Sequence, residues 1–154
     1  MGGATPRNVA IGVQNFEDLI VHQDFYVDKT GFIKEWWENR DAVTLITRPR
    51  RFGKTLTMDM VEKFFSIQHA GKEDLFEGLA IWRERGYREP QGTYPVIALS
   101  FSSIKETSFL GAKNAIYQVI ERGYGEYDFL LESDRLSARE KQMFQRVSYF
   151  FGMI

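Results

Sequence analysis

Apolar residues fall into two kinds of run along this chain, and each kind predicts a different element. Residues 42–47 (Ala-Val-Thr-Leu-Ile-Thr) and 94–101 (Tyr-Pro-Val-Ile-Ala-Leu-Ser-Phe) are nearly continuous apolar stretches rich in β-branched residues. That composition predicts strands covered on both faces of a parallel sheet, with Pro95 tolerable at the start of its strand. Phe25, Tyr26 and Val27 make a shorter extended run. Elsewhere the spacing is helical. Phe32, Ile33, Trp36 and Trp37 lie on a predicted helix that ends near Asn39 and is capped by Asp28 or Thr30. Leu56, Met60, Val61, Phe64, Phe65 and Ile67 recur at helical spacing from Lys54 to about His69, with Gly71 placed to stop the helix. Ala112, Ala115, Ile116, Val119 and Ile120 stripe a helix over 108–122, and residues 137–151 open with Ser137 and Glu140 at capping-box spacing. A short turn-rich helix is expected at 74–82, and a loop at 86–93 from Gly86, Pro90 and Gly92.

Strands alternating with helices predict an α/β fold with a parallel sheet flanked by helices. No repeat, low-complexity segment or linker interrupts the pattern, so residues 12–154 read as one domain behind a loose N-terminus at 1–11.

Composition narrows the chemistry more than the fold. The 20 Lys and Arg nearly balance the 21 Asp and Glu, so any affinity for nucleic acid or membrane has to be local. The absence of cysteine removes thiolate catalysis and thiolate-bound zinc, and His22 and His69 make no metal cluster. No apolar run approaches the roughly 20 residues of a membrane span, and the first residues lack the basic-then-apolar order of a signal peptide. A cytoplasmic location is the expectation.

The chemistry sits between the first predicted strand and the helix after it. Arg48-Pro49-Arg50-Arg51-Phe52-Gly53-Lys54-Thr55 satisfies three of the four defined positions of the phosphate-loop pattern G-x-x-x-x-G-K-[ST], Arg48 standing for the first glycine. A strand that leads into a helix through such a loop aims unpaired N–H groups and the positive helix end at an anion. The candidate nucleotide-binding residues are Arg50, Arg51, Phe52, Gly53, Lys54, Thr55 and Leu56. Gly53 lets the backbone approach phosphate, Lys54 neutralises the β- and γ-phosphates, and the Thr55 hydroxyl ligates Mg²⁺. Pro49 restricts Arg48 to extended geometry, giving a stiffer entry than glycine would. Arg48, Arg50, Arg51 and Lys54 put four cations into seven residues, a density that calls for an anion among them.

Four segments together, Tyr26-Val27-Asp28-Lys29-Thr30, the loop itself, Leu75-Phe76-Glu77-Gly78-Leu79 and Tyr94-Pro95-Val96-Ile97, occur in the order seen in the bacterial AAA-ATPase-like family. The chain resembles that family from about Gly12 to Val147. The family's usual Walker A form is Arg-Pro-Arg-Arg-Phe-Gly-Lys-Ser/Thr, so Arg48 matches its habit. The resemblance implies a P-loop NTPase-type sheet, ATP and Mg²⁺ as ligands, and a continuation into a Walker B strand ending in paired acids. Longer relatives often add a nuclease-like domain of the PD-(D/E)XK type, which implies nucleic acid as a partner. Residues 1–154 contain neither of these. Phe129-Leu130-Leu131-Glu132-Ser133-Asp134 ends in acids but has too short an apolar run for that strand. The resemblance therefore implies an incomplete sheet, weak or absent hydrolysis by these residues alone, and self-association through the open edge.

Asp28 and Lys29 are explained about equally as pocket-lining residues and as a helix cap with an exposed neighbour. Trp36, Trp37 and Trp82 read as core in preference to platforms for a base. Two functions stand at this point: an ATP-binding module of an ATPase, and a non-catalytic domain that docks nucleic acid or protein through the basic loop Arg48 to Lys54.

Overall fold

The computed structural model describes residues 8, 9 and 12–149, the side chain of Tyr149 excepted; the N-terminal segment 1–7, residues 10 and 11, and the predicted helical end at 150–151 lie outside the described residues. The chain divides between Val96 and Ile97 into two compact units.

In the first unit, helix α1 (Phe16–Val21) starts where the Asn15 side chain accepts hydrogen bonds from the amides of Glu17 and Asp18. Helix α2 (Gly31–Asn39) ends at the residue that the spacing predicts. Its N-cap, Thr30, makes no capping bond; Asp28 Oδ1 accepts from the Thr30 amide and hydroxyl instead. Helix α3 (Lys54–Phe65) stops four residues before the predicted end at His69. The reason is competition for its last carbonyls. The returning chain donates Gly92 N–H to Phe64 and Tyr94 N–H to Phe65, both at 2.8 Å, and so satisfies groups that a helix end leaves orphaned. Only glycine fits at position 92, because its φ is +65° and a Cβ there would lie 2.6 Å from the Ala70 Cα. Helix α4 (Ala80–Arg83) is one short turn-like helix after a 3₁₀ turn at Glu73–Phe76, in keeping with the turn-rich helix expected there.

The core gathers around α3. Phe16, Ile33, Met60, Phe64, Phe65, Leu75, Phe76 and Ile81 are buried together. Phe76 stacks on Phe16 with ring centroids 5.4 Å apart and meets Phe64 edge-on at 5.1 Å. Trp37 stacks on Phe65 at 5.0 Å, Trp36 meets the same ring edge-on, and Trp82 lies against Phe76. The buried Lys63 ammonium is paired with Asp59 at 2.9 Å, and the other Asp59 oxygen accepts the Phe16 amide at 2.6 Å. A buried cation is tolerated only when paired in this way.

The expected α/β fold with a parallel sheet does not form. Among the described residues the only β pairing is an isolated parallel bridge between Ser66 and Tyr94. Residues 43–49 and 95–101 run without ladder hydrogen bonds, and Val43 and Leu45 are 87% and 82% exposed. An apolar β-branched run expresses a preference for extended, covered backbone, but its hydrogen bonds have to come from another segment, and among the described residues no other segment's backbone pairs with either run beyond Tyr94.

The second unit is helical. Helix α5 (Phe109–Gly125) is capped by the Ser108 hydroxyl, which accepts from the Gly111 amide at 3.0 Å. Helix α6 (Ala138–Tyr149) begins with the expected capping box: Glu140 accepts from the Ser137 amide and hydroxyl, and Ser137 Oγ accepts the Glu140 amide. Tyr124 and Phe144 join the two helices at 5.3 Å. Part of the second apolar run packs here, since the space where a Cβ of Gly123 would sit is filled by Leu99, 2.7 Å away. Residues 128–131 form a 3₁₀ turn.

Two predictions follow from this packing. Phe76→Ala removes a fully buried ring from the centre of the aromatic cluster and should cost about 3–5 kcal/mol, read as a lower urea midpoint. Glu17 is held below the usual carboxylate range by its hydrogen bond from Lys72, which outweighs the opposing effect of burial. A carboxylate whose pKa is lowered by folding stabilises the native state above its unfolded value and loses that contribution as the pH falls through its folded value. Glu17→Gln should therefore flatten the loss of thermal midpoint below about pH 4.5, its ordinary pKa, and leave the acid limb of the parent steeper.

Candidate functional site

The site begins with a braced segment at 26–30. The Tyr26 ring packs edge-on against Phe16, and its hydroxyl donates to Met60 Sδ and accepts the Lys29 amide at 3.2 Å. Burial, with the Asp28 charge nearby, pushes the Tyr26 phenol up to about 12 despite the Lys29 amide. Asp28 reaches across to α4, accepting the Ala80 amide at 2.7 Å, while the fully buried Thr30 hydroxyl accepts the Ile81 amide at 3.1 Å. Burial works against the Asp28 charge, but the Thr30 and Ala80 hydrogen bonds and the Arg83 cation prevail and hold its carboxyl below the usual range. The backbone around Lys29 is thus held from both sides.

The loop follows. Residues 50–51 turn, and Arg51 and Gly53 both adopt left-handed backbone, with φ of +69° and +74°. Gly53 is the N-cap of α3 and has no side chain to cap it. Its carbonyl accepts from both the Thr57 amide and the Thr57 hydroxyl at 2.9 Å, which locks the first turn. Among the described residues the amides of Lys54, Thr55 and Leu56 have no hydrogen-bond partner, as expected of a helix start that no side chain caps. The Lys54 ammonium folds back onto the carbonyls of Arg48 and Pro49, the latter at 3.2 Å. From the other side the Lys29 ammonium donates to the Phe52 carbonyl at 3.2 Å.

The seven candidate residues are brought together, but they do different work. Leu56 turns inward and packs against the core, anchoring the turn. Thr55 is exposed. The ring of Phe52 is 58% exposed at the loop. Arg48, Arg50 and Arg51 are exposed and form no ion pair among the described residues. Sequence reasoning missed the Thr57 lock, for which a hydroxyl one turn into a helix is no signal by itself. It left Lys29 undecided, although its place in the Tyr-Val-Asp-Lys-Thr segment was the available clue. No group of three or more metal-ligating side chains occurs among the described residues. No helix among them is long and apolar enough to cross a membrane.

The loop thus leads through a left-handed glycine into Lys-Thr at a helix start. Residues 10–152 match the AAA-ATPase-like family, described as predicted AAA-ATPase, and the chain belongs to that family. It is also 36% identical over 101 residues to an "Uncharacterized protein in vnfD 5'region" of Azotobacter chroococcum mcd 1. That match covers 62% of this chain and 17% of the relative, so the chain spans about a sixth of the length of the curated relative it matches. No solved structure matches it.

The loop geometry sets a further prediction. A Cβ on Gly53 would lie 3.1 Å from the Lys29 Nζ, the flexible end of a side chain, so the contact itself is easily relieved. The left-handed backbone is the larger cost. Gly53→Ala should destabilise the first unit by about 1–2 kcal/mol, seen as a lower denaturant midpoint without a change in slope.

Proposed function

We propose that residues 50–56 bind the phosphates of ATP with Mg²⁺, as the nucleotide-binding part of an ATPase. The observation that carries this reading is the row of unpartnered N–H groups at 54–56 beside a Lys54 ammonium whose hydrogen-bond partners are neutral carbonyls. An incoming phosphate would exchange those carbonyls for a charge-assisted bond and fill the amides at once, with the helix dipole acting in the same direction. The exposed Thr55 hydroxyl, one residue on, is the Mg²⁺ ligand, and Arg48, Arg50 and Arg51 add the positive field that draws the triphosphate in. Membership of a family described as predicted AAA-ATPase supports ATP as the nucleotide.

In this reading residues 12–154 are the leading part of an ATPase-like region in a longer chain, and they bind nucleotide better than they hydrolyse it. Hydrolysis needs a group that orients the attacking water and a carboxylate near the metal. Two carboxylates on the segments that meet the loop are already engaged: Asp28 with Thr30 and Ala80, Asp59 with Phe16 and Lys63.

The test is the thermal midpoint with and without Mg²⁺-ATP, in the parent and in Lys54→Ala. A ligand at a hundred times its Kd stabilises by about 2.7 kcal/mol, so the parent midpoint should rise by several degrees. Loss of the ammonium should cost about 1.5–3 kcal/mol of binding, roughly ten- to a hundredfold in affinity, and largely abolish the shift. A parent that ignores Mg²⁺-ATP but binds DNA or RNA with steep salt dependence would replace this reading with an interaction domain that uses the same basic loop.

A further inference from the structure

The braced segment at 26–30 has no part in the reading above, yet it delivers an ammonium to the loop. We propose that Lys29 is a positioning residue for the phosphate loop, holding the Phe52–Gly53 peptide in the one orientation that suits an anion. This rests on the nucleotide reading for its purpose and on the geometry of the loop for its mechanism.

The loop is weakly self-determined at that peptide. Gly53 follows it, and glycine occupies positive and negative φ about equally, so the plane between Phe52 and Gly53 can turn over at little intrinsic cost. In a trans peptide the carbonyl and the N–H point in opposite directions. A hydrogen bond to the Phe52 carbonyl therefore also fixes the direction of the Gly53 N–H, turning it away from Lys29. The Lys29 ammonium makes that bond at 3.2 Å and stands 3.1 Å from the site where a Cβ of Gly53 would be.

The ammonium can serve as a fixed point because its backbone is fixed. Its own amide is held by the Tyr26 hydroxyl, the preceding residue is tied to the Ala80 amide, and the following one is fully buried and bonded to the Ile81 amide. Lys54 cannot do this work while it also serves phosphate, since its ammonium has to leave the carbonyls of Arg48 and Pro49 to reach a ligand. Lys29 then keeps the loop in shape during that exchange. It acts through the backbone.

The experiment compares the parent with Lys29→Met, which keeps the length of the side chain but has no donor, and Lys29→Arg, which restores one. Three quantities are read: the thermal midpoint, the amide nitrogen chemical shift of Gly53 by NMR, and the Kd of Mg²⁺-ATP by titration calorimetry. The expected result for Lys29→Met is a midpoint near the parent's, a shift change confined to the Phe52–Gly53 peptide and its neighbours, and a Kd about tenfold weaker, the loss of one charge-assisted hydrogen bond. Lys29→Arg should recover most of both. An unchanged Gly53 shift and Kd in Lys29→Met would overturn the proposal. So would a fall in midpoint with shift changes throughout the first unit, which would make Lys29 a general prop of the fold. If the parent itself does not bind Mg²⁺-ATP, the nucleotide reading fails separately and the Gly53 shift alone decides: a change in Lys29→Met that Lys29→Arg reverses supports Lys29 as the loop's brace, and no change overturns it.

Discussion

Helix α3 is tied down along its C-terminal half and left open at its first turn, and the rest of the first unit is arranged around that inequality. Met60, Phe64 and Phe65 are buried among Phe16, Ile33, Phe76 and Ile81, and the last carbonyls are taken by residues 92 and 94. Burying several large side chains stabilises by amounts on the order of 2–3 kcal/mol each, far more than an uncapped first turn costs. The core can therefore hold a helix whose leading amides remain unpaired. Those amides are the ones that the proposed phosphate site would use.

The polar contacts around the core extend this. Asp28 and Thr30 satisfy the first amides of α4, Asp59 satisfies the first amide of α1 and neutralises Lys63, and Tyr26 links the 26–30 segment to Met60. Asp28, Thr30, Asp59 and Tyr26 each bond to an element other than their own, so the elements are fixed to one another by directional bonds as well as by area. The loop inherits its position from both ends: from α3, which it enters, and from Lys29, which reaches it from the braced segment.

Much of the local structure was legible in the sequence. The spacing of Phe32, Ile33, Trp36 and Trp37 gave α2 its end, Ser137 and Glu140 gave α6 its box, and Gly53-Lys54-Thr55 at the start of an amphipathic run marked a helix that opens on a loop. These features depend on residues within one or two turns of each other. Family membership was legible too, from four short segments in order.

What the sequence determined by itself was therefore most of the longer helices, the capping box of α6 and the family, because periodicity, capping and short motifs act over a few residues. Tertiary structure decided whether the apolar runs near residues 45 and 98 would be strands, and they are not, since a strand is made by its neighbours and among the described residues the only pairing of either run is the single bridge at Tyr94. It also decided that α3 stops at Phe65, where the carbonyls it would have used were already taken by Gly92 and Tyr94. And it decided that Lys29 meets Phe52, a contact between residues 23 apart that follows from Asp28 and Thr30 being held at α4 and has no local signature.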